Sequence, residues 1–206
     1  MDKKKVLSYI SKLIFIIYLV SIVYFIFFNK VESIVFALAS LIGTVILIYL
    51  NKKFDKLFDT SLIITLVIFI FFAGLLGSSF RFYDNIKNYD DFLHIWSGFI
   101  ACSGAYVLFN CFANMEINNR ERKIFFVIYM FMFSMGVASI WELIEFFSDQ
   151  VFHTNCQVGS LVDTMMDMFD CFVGSIIMIS CYAKHLPKYE EENLGNQRWF
   201  EICYIL

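Results

Sequence analysis

Five stretches of this 206-residue chain, 13–28, 33–50, 60–80, 95–115 and 124–141, contain no charged side chain, and this constrains the fold more than any other feature. At about 1.5 Å of rise per residue, each run with modest extension into its flanks covers about 30 Å of bilayer hydrocarbon. In that medium the backbone finds no water to bond, so each run must satisfy its own N–H and C=O groups as a helix. The expectation is an all-α polytopic membrane protein. Composition agrees: 60% of residues are apolar and 17% charged, where a soluble domain carries about 25% charge. A soluble globular enzyme, a disordered chain and a secreted disulfide scaffold are excluded. The 16 basic residues form no broad stripe, so no nucleic-acid partner is expected.

A sixth span, 161–183, is less obvious because it carries Asp163, Asp167 and Asp170. Together they would cost on the order of 5–10 kcal/mol to insert. Loop charges decide in its favour. With six spans, Lys3, Lys4, Lys5, Lys52, Lys53, Lys56, Arg120, Arg122, Lys123, Lys184, Lys188 and Arg198 fall on one side, against Lys30, Arg81 and Lys87 on the other. This bias places both termini in the cytoplasm. The basic start Met1–Lys5 resembles a signal peptide, but the apolar stretch after it is too long and lacks a small-residue cleavage site, so it should stay as an anchor. The expected architecture is one six-helix bundle, 1–206, with spans at about 6–28, 32–50, 60–80, 92–115, 124–147 and 161–183 and a cytoplasmic tail 184–206. The tail's end, from Arg198 to Leu206, either lies on the inner membrane surface or is disordered. Of the six cysteines, four lie in or beside apolar runs and no CxxC occurs, so packed thiols are expected, not disulfides.

Polar chemistry is confined to the second half. Spans one to three hold no acid within their apolar runs, whereas Asp90, Asp91, Glu142, Glu145, Asp149, Asp163, Asp167 and Asp170 gather at the outer ends of spans four to six. Helical spacing sorts them into stripes: Asp90 and His94 are four apart, Glu142 and Glu145 three apart, and Asp163, Asp167, Asp170 and Gly174 follow one face. On span four the stripe continues as Ser97/Gly98, Ala101 and Ala105, small residues that allow close helix approach. Counting from Leu161, Asp167 lies about 9 Å and Asp170 about 13 Å into the membrane.

Carboxylates crowded in a low dielectric cannot all stay ionised without countercharge, so some are protonated or a cation is bound. A divalent ion answers this most economically. The ligand set of Asp90, His94, Glu142, Glu145, Asp163 and Asp167 is oxygen-rich with one imidazole, which suits Mg²⁺, Mn²⁺, Zn²⁺ or Fe²⁺. One ion, or two sharing bridging carboxylates, would satisfy it. For Asp91, Asp149 and His153 a solvated loop position is the simpler reading, and Asp170 is either a site residue or a protonated helix-to-helix hydrogen bonder. Trp96 and Trp141 read as interfacial aromatics, and Met165, Met166 and Met168 as packing residues.

Tyr89-Asp90…His94…Gly98, Glu142-Leu-Ile-Glu145-Phe146 and Asp163-Thr-Met-Met-Asp167-Met168…Gly174, taken as an ordered triple, resemble the YjdF-like bacterial inner-membrane proteins. The likeness covers roughly 60–183. It implies a multi-pass protein of the bacterial cytoplasmic (inner) membrane and supports the site without naming a reaction.

Three functions fit these residues. The first is a metal-dependent membrane hydrolase or transferase acting on a lipid or lipid-linked substrate, with one carboxylate as general base. The second is a transporter or channel for a divalent cation or protons. The third is a non-catalytic membrane partner whose acids fix helix packing.

Overall fold

The computed structural model describes residues 3–54, 59–112, 117, 120–154, 156–157 and 160–185; expectations for Lys56, 113–115 and the tail beyond His185, Cys203 included, lie outside them. The described elements are α1 (Lys3–Phe27), α2 (Val31–Lys53), α3 (Thr60–Ile70) running on as a π-helix (Phe71–Ser79), the single turn α4 (Phe82–Asn85), α5 (Tyr89–Phe112), α6 (Arg120–Phe152) and α7 (Leu161–His185). Six of these helices are long and apolar enough to cross a membrane, the sixth included despite its three aspartates. No strand occurs among the described residues. Cys102, Cys111, Cys156, Cys171 and Cys181 are thiols.

Local chemistry sets the helix ends. α1 closes on Asn29 in the left-handed region (φ 53°), with Lys30 N–H donating to Phe25 O at 2.9 Å and Asn29 N–H to Ile26 O at 3.1 Å. That is the Schellman closure, and Asn tolerates the positive φ it requires. Asp59 caps α3 by accepting from the Ser61 N–H at 3.3 Å.

Two features depart from the expected spans. The third does not finish as a plain α-helix: Ser78 and Ser79 turn their hydroxyls back onto Ala73 O and Gly74 O, and the wider π geometry leaves room for this. The fifth runs to Phe152, five residues beyond the expected end at Phe147. Glu142 therefore sits well inside its helix and not in the last turns.

The helices pack as two triplets. One core joins α1, α2 and α3 through Tyr18, Phe25, Ala37, Ile63, Val67 and Leu75; the other joins α5, α6 and α7 through Cys102, Ala105, Phe109, Phe126, Met130 and Ile179. An aromatic seam links them, with Trp96 edge-on to Phe69 and Phe72 at ring separations of 5.5 and 5.7 Å. Trp96 is thus a seam residue. Tyr89 adds a polar tie, donating its hydroxyl to Phe72 O at 2.9 Å, so that the π segment and the start of α5 are held together.

Candidate metal centre

α5 and α7 run parallel and touch backbone to backbone. A Cβ on Gly174 would collide with the Ile95 carbonyl oxygen and stand 2.9 Å from the Ile95 carbonyl carbon. One on Gly98 would collide with the Cys171 carbonyl oxygen and stand 2.9 Å from the Ser175 amide. No side chain fits there, which is the packing use of small residues in membranes. α6 crosses antiparallel, and Ser134 and Ser175 meet at 2.6 Å between their hydroxyls. Ser175 is also within 2.7 Å of Cys171 O. This contact forms a polar floor about two turns below Glu142.

Above the floor three helices point acids at one another. His94 Nε2 lies 3.4 Å from Asp90 Oδ1 on its own helix and 3.7 Å from Asp167 Oδ1 on α7. Two groups are close enough to hold an ion: in Asp90, His94 and Asp167, and in Glu142, Glu145 and Asp167, one donor atom from each residue lies within 4.8 Å of the other two. Asp167 belongs to both. Glu142 and Asp167 are only 5% and 4% exposed, and Glu142 Oε2 is buried with no hydrogen-bond partner. An unpaired buried carboxylate oxygen costs about 1–3 kcal/mol or more, so something must repay it.

Five of the six expected ligands therefore converge, and Asp163 does not join either group. It sits one turn above Asp167, half-buried, with Oδ2 unpartnered. Asp170, 9% exposed, lies one turn below, also with an unpartnered oxygen. Asp91 and His153 stand outside both groups. Asp149 has a structural role: it accepts from Thr154 Oγ1 at 2.6 Å, Cys156 N–H at 2.7 Å and Gln157 N–H at 3.0 Å, folding the turn between α6 and α7. That turn delivers Gln157 Nε2 to Thr164 Oγ1 at 2.9 Å and to Glu142 O at 3.5 Å.

One positioning residue was not foreseen. Trp141 Nε1 donates to Glu145 Oε1 at 2.7 Å, so the indole orients a carboxylate of the site. The four-residue spacing was the available signal. Nothing in the sequence pointed to Gln157 or to the Ser134–Ser175 contact. Arg81 pairs with Asp84 at 2.7 Å, both side chains exposed.

The fold and these converging acids define a multi-pass membrane protein with a candidate acid and histidine centre among α5, α6 and α7. The chain belongs to the family described as predicted membrane protein (DUF2238), which matches residues 10–188. That match is compatible with the YjdF-like likeness. No curated protein and no solved structure matches the chain.

Proposed function

We propose that this protein binds divalent metal in the pocket between α5, α6 and α7 and acts there as a hydrolase or transferase on a lipid or lipid-linked phosphate, in the cytoplasmic membrane of a bacterium with the pocket opening outward. The observation that carries the reading is the position of Asp167, buried and common to two ligand groups that also include the unpartnered Glu142. Three-residue groups leave coordination positions open, as catalytic centres require. Mg²⁺, Mn²⁺, Zn²⁺ or Fe²⁺ bound there would polarise an ester oxygen and lower the pKa of a water. His94 and the carboxylates would hold the ion, Trp141 would orient Glu145, and a carboxylate outside both ligand groups, Asp163 one turn above Asp167, would accept the proton from the attacking water. The half-buried position suits a substrate whose headgroup enters from the membrane surface.

Transport of a cation has one observation in its favour: buried Asp170 and the Ser134–Ser175 contact extend polarity below the site. Beneath them Ala105, Phe109, Phe126 and Met130 close an apolar core, which favours a site with a floor over a path. Purified protein is assayed for metal by mass spectrometry, for phosphate release from vesicle lipids, and for metal flux into liposomes. The enzyme reading predicts bound metal, reduced in His94→Ala and Glu145→Gln, with metal-dependent phosphate release and no flux. Metal-free wild type at neutral pH contradicts it, and flux without turnover transfers the site to a transporter.

A further inference from the structure

Resting on the metal-binding reading, we infer that the pocket holds two divalent ions bridged by Asp167, one with Asp90 and His94 and the other with Glu142 and Glu145. Ligand atoms sit about 2.0–2.6 Å from such ions, so donors sharing one ion lie at most about 5 Å apart. Each three-residue group meets that limit, its donor atoms lying within 4.8 Å of one another. The five residues assemble as two groups sharing Asp167 and not as a single group of five. A carboxylate has two oxygens and can serve both ions. Two-ion centres in helix bundles are built from such facing carboxylates and histidines.

Charge points the same way. Asp90, Glu142, Glu145 and Asp167 carry four negative charges when ionised, with Asp163 and Asp170 one turn above and below, so a single divalent ion leaves at least two negative charges to be neutralised by protons in a low-dielectric interior. The buried Glu142 Oε2 adds an acceptor with no donor of its own in the second group. A single ion between His94, Asp90 and Asp167 would leave the Glu142–Glu145 side unserved.

The test is titration of metal-depleted, detergent-purified protein with Mn²⁺, reading bound metal per chain and the electron paramagnetic resonance spectrum. Two Mn²⁺ per chain with an exchange-coupled spectrum are expected. His94→Ala and Glu145→Gln should each hold one, with the hyperfine pattern of an isolated ion. Saturation of the wild type at one magnetically isolated Mn²⁺ overturns the two-ion arrangement while leaving the metal reading in place. No binding of Mn²⁺, nor of Mg²⁺, Zn²⁺ or Fe²⁺ in the same titration, overturns both.

Discussion

Asp167 shows how a residue acquires a role from its neighbours. Its spacing from Asp163 and Asp170 was legible in the sequence, as was the Asp90–His94 pair, because the helical repeat fixes which positions share a face. What the repeat does not fix is which acid of α7 faces His94. The close contacts at Gly98 and Gly174 set the rotation and register of α7 against α5, bringing Asp167 to His94 while Asp163 stays one turn above. Glu145 depends on its indole partner in the same way. Residues that orient metal ligands typically contribute 10–100-fold in affinity. Trp141→Phe, which keeps an aromatic ring and removes the donor, should weaken metal binding by about 10-fold without altering thermal stability in the absence of metal; calorimetric titration checks the affinity.

At the scale of the element, the decisive feature is the backbone contact between α5 and α7. Gly174→Ala pushes a methyl group into the Ile95 carbonyl, and backbone must move, at a cost of about 1–3 kcal/mol. Gly104, on the same α5, faces open space, with nothing within 4 Å of the place a Cβ would occupy, so Gly104→Ala should be neutral or stabilising by up to about 1 kcal/mol. Thermal unfolding in detergent distinguishes them. The π-helix was not legible in the sequence because a run of apolar residues looks the same whether it closes at four residues or five. Its glycines and serines, Gly74, Gly77, Ser78 and Ser79, were the only hint. The π segment packs tightly on α2, where a Gly74 methyl would stand 2.8 Å from the Ser40 hydroxyl, and through Tyr89 it anchors the end of α5 that carries Asp90 and His94. The over-length α6 was hidden for a related reason. Polarity at Glu142, Glu145 and Asp149 looked like a helix leaving the membrane, whereas those side chains belong to the triplet and the following turn.

Across the whole molecule, the number of long helices was readable from uncharged runs and loop charges, and the division into two triplets was not. Periodicity reports that a helix has a buried face, and not which helices share it. The charge bias predicts that the α6–α7 turn lies outside, and Cys156 in that turn is exposed. A membrane-impermeant maleimide should label Cys156 from the outer side of sealed cells, with the signal lost in Cys156→Ser; labelling only after permeabilisation contradicts the orientation. Partial desolvation and the nearby Asp149 charge push the Cys156 thiol up. The thiolate is the reactive form, so labelling should quicken as pH rises and be faster in Asp149→Asn, where the opposing charge is gone and one of the two accepting oxygens is replaced by a donor.

The central claim is that Asp167 is a metal ligand where α5, α6 and α7 converge. Anomalous diffraction from Mn²⁺-soaked crystals tests it most directly. The predicted result is anomalous density about 2.0–2.6 Å from the Asp167 carboxylate, between it and the His94 and Glu142 sides of the pocket, and abolished in Asp167→Asn. A pocket without anomalous density, its carboxylates bonded to one another or to water, would contradict it.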